Sequence, residues 1–160
     1  MTESRVRRQP ATAGHEVPAV GAYVTELKLQ AVGDYIVVAK RAAASLGLVV
    51  GFSLQEIDDL NIAISQACEN ACAAAAEQWG SGNGQLKLIF KSQPRRLEVE
   101  VRSVPPRAVE QHARRARRGA ELDYETIGLN MIRLFVDELR YQVDSHTGSM
   151  RMRMVKYLIE

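Results

Sequence analysis

Residues 52–71 read FSLQEIDDLNIAISQACENA, and this stretch decides the fold. Ser53 precedes Glu56 by three residues, the spacing of a capping box in which each side chain accepts a hydrogen bond from the other residue's backbone N–H. Apolar and small residues then recur at spacings of three and four: Ile57, Leu60, Ile64, Cys68, Ala71 and Ala75. This period predicts a long helix, running from Ser53 to about Gln78, with one buried stripe.

The side of this helix away from the stripe is polar. Gln66 and Asn70 are one helical turn apart and therefore share a face, and Glu69 lies beside them. Ile62 falls on the same side, so the helix has apolar surface on two sides. Polar side chains in this position either face solvent or line a pocket.

Strands and shorter helices surround the long helix. In order, the predicted elements are a strand at 24–31, a helix at 34–48 whose end is bracketed by Gly47 and Gly51, the long helix, a hairpin of strands at 86–91 and 97–102, a helix at 127–139, and a closing hairpin at 139–144 and 150–157. Met150, Met152 and Met154 alternate with arginines in the last strand and are predicted to face the core. The fold class is an α+β two-layer sandwich, a mixed and mostly antiparallel sheet covered on one face by helices.

The length of 160 residues fits a single domain. Residues 1–22 have no apolar period and are predicted to be a flexible leader, which places the domain at residues 23–160. The net charge of +2 creates no field that would attract nucleic acid or membrane. No stretch reaches the roughly 18 apolar residues of a membrane span, and no signal peptide is recognisable. We therefore expect a cytoplasmic protein that binds neither membrane nor nucleic acid directly.

The two cysteines, Cys68 and Cys72, are four residues apart on one helical face. That stacked arrangement is a poor geometry for a disulfide. A metal site would need further ligands, and no His or additional Cys lies nearby in the sequence. Both are predicted to be small core residues.

The long helix resembles the nucleotide helix of bacterial anti-sigma-factor serine kinases, small relatives of the histidine-kinase (GHKL) ATPase domain. Gly128-Leu129, followed by residues 134–138, resembles their second glycine box and its helix. The ending, residues 152–158, resembles their closing strand, so the resemblance runs in order from about Glu26 to Leu158. It implies the histidine-kinase-like ATPase fold, which agrees with the sandwich predicted above.

The resemblance also implies partners and a reaction. Proteins of this family hold a sigma factor inactive and then release it to an anti-anti-sigma protein, a partner switch that regulates transcription, as in stress responses. The active kinases use ATP and magnesium to phosphorylate a serine of the anti-anti-sigma protein. They usually work as homodimers.

On the nucleotide helix, the family carries a Glu and, four residues on, an Asn. Asn70 keeps the Asn, which the resemblance implies is a magnesium ligand through its carbonyl oxygen. Gln66 stands at the position of the Glu, the family's general base, and an amide cannot accept a proton at any working pH. Glu69 is the nearest carboxylate, about 60° round the helix from Gln66. It is a candidate base, with a solvated Glu as the plainer interpretation.

The adenine end of the implied nucleotide site also differs from the family. Ser103 stands where the family has an Asp that accepts a hydrogen bond from the adenine amino group. Losing this charge-assisted hydrogen bond lowers the binding free energy by about 1.5–3 kcal/mol, or roughly one to two decades of affinity. Pro105 and Pro106 follow where glycines would let the backbone approach, and prolines are stiff and lack an N–H.

The phosphate end is implied to involve Thr126, Gly128 and Leu129 of the second box, in which Gly128 is the only glycine left. Glu125 precedes them and would bring a negative charge near a triphosphate. Between the two boxes, the family's nucleotide lid carries basic residues that either bind phosphates or face solvent; they are Arg114, Arg115, Arg117 and Arg118.

Three functions remain open from the sequence. The first is an anti-sigma binding module with weak or no kinase activity, which the changes at Gln66 and Ser103 favour. The second is an active serine/threonine kinase, since phosphoryl transfer depends mostly on positioning and charge. The third is a nucleic-acid-binding module built on the arginine-rich lid, which is disfavoured because aromatic residues make up 6% of the chain and none alternates with those arginines.

Overall fold

The computed structural model describes residues 22–107 and 123–159, with side chains from residue 128 onward in the second range. Its elements are β1 (Tyr23–Gln30), a 3₁₀ turn (Gly33–Tyr35), α1 (Ile36–Val50), α2 (Leu54–Trp79), β2 (Gln85–Gln93), β3 (Arg96–Val104), α3 (Asp123–Arg133), β4 (Glu138–Val143) and β5 (Met150–Tyr157). Apart from Ala22, the predicted leader lies outside the described residues. The boundary between leader and domain therefore stays a prediction.

One five-stranded sheet has the order β1-β2-β3-β5-β4. Each strand pairs antiparallel with its neighbours, and in the middle Val101 of β3 lies opposite Leu88 of β2 and Met152 of β5. Helix α2 packs across β2, β3 and β5, with α1 beside it. The predicted α+β sandwich is confirmed, with every described pairing antiparallel where a mixed sheet was expected.

Helix α2 buries the predicted stripe against this sheet. The six predicted stripe residues are buried, together with Ala63 and Ala67. The capping box is present: the Glu56 N–H donates to Ser53 Oγ at 3.2 Å, and the Ser53 N–H donates to the Glu56 carboxylate at 2.7 Å. The bond from the Ser53 N–H lowers the pKa of Glu56. This cap sets where α2 begins and therefore which side chains meet the sheet.

The two glycines at the end of α1 have different roles. Gly51 ends the helix: its φ is 101°, a left-handed conformation that favours glycine, and its N–H donates to Gly47 O at 3.0 Å. Gly47 lies inside α1 and does not bracket its end as predicted. A Cβ at Gly47 would lie 3.2 Å from the Ile57 side chain and 3.3 Å from Phe52, so the glycine lets α1 approach α2 closely.

The helix predicted at residues 127–139 is wrong in its limits, because α3 ends at Arg133. The chain then turns, with the Leu134 N–H donating to Met131 O at 3.1 Å, and β4 pairs with β5. Pairing with the sheet outweighs the local helical period. Met131 and Leu134 are exposed near the end of this shorter helix, while Ile132 is buried.

The interior residues follow the sequence prediction. Met150, Met152 and Met154 are buried in the core. Cys68 is buried and Cys72 partly buried, and both thiols are free. Burial raises the pKa of Cys68 to about 12, so its thiol stays protonated. Within residues 22–107 and 123–159, no group of three or more His, Cys, Asp or Glu could hold a metal ion, and no helix is long and apolar enough to cross a membrane.

The face of the sheet away from the helices is held together by ion pairs. Glu98 and Glu100 alternate with core residues along β3, so they point to this face, and they are only 6% and 4% exposed. Arg153 donates to Glu98 at 2.8 Å, and this bond is the main cause of the lowered pKa of Glu98. Burial raises the pKa of Glu100, but hydrogen bonds from Arg102 and Arg151 outweigh it, so the net direction is downward.

We expect Leu60→Ala to lower the free energy of unfolding by about 2–5 kcal/mol, because it leaves a cavity beneath α2 where Leu60 is 1% exposed. Leu54→Ala on the same helix is the matched control. Leu54 is 78% exposed, so its loss should change stability by no more than about 0.5 kcal/mol. Urea denaturation followed by circular dichroism measures both. Equal losses in the two variants would contradict the placement of the buried stripe.

The buried carboxylates predict a specific acid sensitivity. Glu98 and Glu100 have lower pKa values in the folded chain than their ordinary 4.5, so the stability they contribute is present above that pH and is lost as the pH falls. Glu98→Gln should therefore flatten the fall in unfolding free energy between about pH 5 and pH 3. The control is Glu26→Gln, which changes an exposed carboxylate. Urea titrations across this range give the slopes, and identical slopes for wild type and Glu98→Gln would count against the prediction.

Candidate functional site

A cavity of about 610 Å³ lies along the polar side of α2. Helix α1 contributes Lys40 and α3 contributes Met131; the lining residues from α2 are Asp58, Asn61, Ile62, Ser65, Gln66 and Glu69. The sequence left two alternatives for this polar side, solvent or a pocket. Gln66 and Glu69 line a pocket, and this pocket forms only because α1, α2 and α3 meet there.

Gln66, which lines this cavity, is hydrogen-bonded to Asn70. Gln66 Nε2 donates to Asn70 Oδ1 at 3.0 Å, and both side chains are partly buried. The four-residue spacing on α2 brings the two amides together. Asn70 Oδ1, the atom that the resemblance assigned to magnesium, thus accepts a hydrogen bond from the residue that replaces the family's base.

Helix α3 approaches this amide pair through Gly128. A Cβ on Gly128 would lie 2.6 Å from Asn70 Nδ2 and 3.1 Å from Asn70 Oδ1, so a larger residue here would require the Asn70 side chain to move. Gly128 lies within α3, and its role is close packing of two helices. Leu129 is partly buried against the core, whereas Thr126 belongs to α3 with its side chain outside the described residues.

Ser103 is separated from this cavity. It is 1% exposed, and its Oγ accepts a hydrogen bond from the Met150 N–H at 2.8 Å, which ties the end of β3 to the start of β5. It lines a different cavity of about 410 Å³ at the β4–β5 hairpin, next to Arg102 and Arg151. The hydroxyl oxygen of Ser103 is therefore already used within the sheet.

Four polar residues of the cavity were not singled out from the sequence as site residues: Lys40, Asp58, Asn61 and Ser65. A signal existed for Ser65, since Asp58, Ile62, Ser65 and Glu69 follow one another at spacings of four, three and four along one helical face. No signal in the sequence pointed to Lys40, because it reaches the cavity from a different helix, α1. Asn61 Oδ1 is buried and accepts no hydrogen bond from any described residue. The lid residues Arg114 and Arg115, like Arg117 and Arg118, lie outside the described residues.

The sheet and the long helix α2 described above belong to a chain that matches a known family over most of its length. Residues 29–156 match the model of a family described as the histidine kinase-like ATPase domain. The chain belongs to this family. The fold implied by the resemblance of the nucleotide helix is thereby confirmed, and the cavity of this ATPase domain lies along that helix.

Two relatives indicate what this ATPase domain is similar to. Serine-protein kinase RsbW of Bacillus subtilis (strain 168) is 27% identical over 150 residues, which cover 83% of this chain and 84% of that protein. The protein of the same name from Bacillus cereus (strain 03BB102) is 25% identical over 146 residues, with the same coverage.

A solved structure has the same fold. It contains the RsbU and RsbW domains of Rv1364c from Mycobacterium tuberculosis, and it superimposes with a TM-score of 0.58 at 17% identity over 85% of this chain. This ATPase domain spans 32% of that solved chain. At this level of identity the likeness is one of fold alone.

The contact between Gly128 and Asn70 gives a test of the site's geometry. Gly128→Ala should force the Asn70 side chain to rotate and break its bond to Gln66, which shifts the side-chain amide resonances of both residues in a ¹⁵N–¹H spectrum. The higher helix propensity of Ala, worth about 1 kcal/mol, acts in the opposite direction. We expect the clash to dominate and the melting temperature to fall.

Gly33→Ala is the matched control, because a Cβ there has nothing within 4 Å. It should leave both amide resonances and the melting temperature almost unchanged. Unshifted Gln66 and Asn70 resonances in Gly128→Ala would show that α3 does not pack against the amide pair.

Proposed function

We propose that this ATPase domain is an anti-sigma regulatory factor with weak or no kinase activity, which binds a sigma factor and is countered by an anti-anti-sigma protein. The resemblance of the chain to anti-sigma-factor kinases supports the partners. The serine-protein kinases among its relatives, at 25–27% identity over most of their length, support the same class. The residues of the site support the low activity.

The observation that carries the proposal is Gln66. A general base must accept the proton of the attacking serine hydroxyl, and a carboxamide does not accept a proton at neutral pH. Gln66 Nε2 in addition donates a hydrogen bond to Asn70 Oδ1. Gln66 therefore presents N–H groups at the place where a base would present an oxygen. Losing a positioned base costs about 10²–10⁴-fold in rate.

Nucleotide binding is part of the proposal. The family's description as an ATPase domain supports ATP as the ligand, and we place it in the cavity along α2, whose lining residue Gln66 is hydrogen-bonded to Asn70. Arg114 and Arg115 are proposed to contact its phosphates. Ser103, which the resemblance assigned to the adenine, lines a different cavity and is buried, so we propose that it makes no direct contact with a nucleotide bound along α2.

The cellular setting is proposed from the resemblance. We expect a cytoplasmic homodimer that contacts proteins and touches neither membrane nor nucleic acid directly. Size-exclusion chromatography with light scattering measures the dimer, and a monomer at micromolar concentration would remove that part of the proposal.

A second candidate is an active serine/threonine protein kinase that phosphorylates the anti-anti-sigma partner. The side chain of Glu69 favours it, since this carboxylate lines the same cavity as Gln66. Phosphoryl transfer relies mainly on positioning and electrostatic stabilisation, so a displaced carboxylate is not a decisive loss. The first candidate is preferred because Glu69 lies about 100° round the helix from Asn70 and its side chain is exposed.

The two candidates separate in one pair of assays. Wild-type protein should capture a sigma factor but transfer little phosphate from labelled ATP to an anti-anti-sigma protein. Gln66→Glu should raise that transfer by about 10²-fold or more, because it restores a carboxylate at the position of the base. Sigma-factor capture should be the same in both proteins.

Gln142→Glu is the control for an added carboxylate. Gln142 is exposed on the edge strand β4, where it pairs with Arg151 on the charged face of the sheet. This variant should transfer as little phosphate as wild type. Wild-type transfer at the roughly 1–100 s⁻¹ of ordinary kinases would favour the second candidate, and failure to capture any sigma factor would remove the first.

A further inference from the structure

We infer that Gln66 converts Asn70 from a metal ligand into a structural amide, so that the site of this chain does not take up Mg²⁺. The inference concerns the cavity to which the proposed function assigns a nucleotide, and it rests on that assignment only for the choice of ADP as a probe. The proposed function concerns the missing general base. This inference adds that the magnesium ion is not bound either. Three observations lead to it.

The first observation is that the ligand atom is in use. Mg²⁺ requires oxygen ligands at about 2.0–2.1 Å in nearly ideal octahedral geometry. Asn70 Oδ1 instead has the Gln66 amide nitrogen at 3.0 Å, with an N–H directed at the oxygen. A cation bound to the same oxygen would lie beside N–H groups that carry partial positive charge. The hydrogen bond takes one of the two lone pairs of this oxygen and places N–H groups beside the other, which disfavours a cation there.

Rotating the Gln66 amide does not restore a metal site. With its oxygen turned toward Asn70, Gln66 would lose the hydrogen bond and offer a second neutral ligand. Mg²⁺ gives up its water reluctantly and is usually held in proteins by one or two carboxylates together with substrate phosphates. Two carboxamides supply no negative charge that would offset the cost of dehydrating the ion. The donor set does not fit Mg²⁺ in either orientation.

The second observation is that no carboxylate among the described side chains converges on Asn70. Glu69 is its neighbour in sequence and points about 100° away round the helix. Asp58 lines the same cavity but precedes Asn70 by twelve residues, a rise of about 18 Å along α2. Across the described part of the chain, no three or more His, Cys, Asp or Glu form a potential metal site.

The third observation is that Asn70 is held from its other side. The backbone of α3 lies so close at Gly128 that a single added carbon would be 2.6 Å from Asn70 Nδ2. The Asn70 amide therefore contacts both Gln66 and the backbone of α3, and turning its oxygen toward a ligand in the cavity would disturb both contacts. The pair joins α2 to α3, which explains why the Asn is useful here without a metal.

The absence of Mg²⁺ would change how this cavity binds a nucleotide. A nucleotide that enters this cavity has to bind without a bridging metal, so its affinity should not depend on Mg²⁺. Lys40 is the one cationic side chain among the described residues that line the cavity. It is placed to offset part of the phosphate charge.

The test uses Mn²⁺ with ADP as a paramagnetic probe on the full chain. Bound Mn²⁺ broadens the resonances of nearby nuclei, so a metal on Asn70 would selectively erase the side-chain amide signals of Asn70 at substoichiometric Mn²⁺. We expect no selective broadening in wild type and clear broadening in Gln66→Glu, which replaces the N–H donor by a carboxylate. In parallel, calorimetry should give the same wild-type affinity for ADP, within about twofold, in Mg²⁺ and in EDTA. Gln66→Glu should gain tenfold or more from Mg²⁺.

Gln142→Glu is the control here as well, since it adds the same charge on the other face of the sheet, and it should behave like wild type. Thermal melts establish that every variant is folded. Selective broadening of Asn70 in wild type, or a tenfold gain in ADP affinity from Mg²⁺, would overturn the inference. Absence of broadening in both wild type and Gln66→Glu would also overturn it, because Gln66 would then not be the cause. Sigma-factor capture is measured separately, so the proposed function can stand or fall independently of the metal result.

Discussion

Helix α2 packs a stripe of small and apolar residues onto the centre of the antiparallel sheet, and the other elements are arranged around that contact. The stripe includes alanines at four-residue spacing, Ala63, Ala67, Ala71 and Ala75, all fully buried. Such short side chains bring the helix axis close to β2, β3 and β5. The stripe runs along one side of α2 and has to face the sheet. This contact therefore also fixes the direction in which the polar side of α2 points.

The functional cavity is a product of that orientation. The polar side of α2 is directed toward α1 and α3, so Lys40 and Met131 meet it across a cavity of about 610 Å³. Gln66, which lines the cavity, bonds to Asn70, and Asn70 in turn packs against Gly128 of α3. In this domain the residues that mark the nucleotide helix also hold two helices together, which gives them a structural role that does not require catalysis.

The sheet separates this cavity from a second environment of opposite character. On the face away from α1, α2 and α3, Glu98 and Glu100 are buried beneath arginines from β3 and β5, and their pKa values are lowered by those arginines. Removing one partner of such a pair would leave a buried charge without compensation. Apolar packing on one face and paired charge on the other thus determine which way each strand turns its side chains.

The sequence by itself determined the class of fold, the start of α2 and the identity of its buried stripe, because the capping box at Ser53 and the three-and-four spacing are local features. It also indicated the exchange at Gln66, since residue type alone decides whether a side chain can accept a proton. Only the tertiary structure decided where α3 ends, because strand pairing of β4 with β5 overrides the helical period of residues 127–139. It alone also placed Lys40 in the cavity, committed the Ser103 oxygen to Met150 and brought Gly128 against Asn70. Each of these depends on contacts between elements far apart in the chain, which no local pattern encodes.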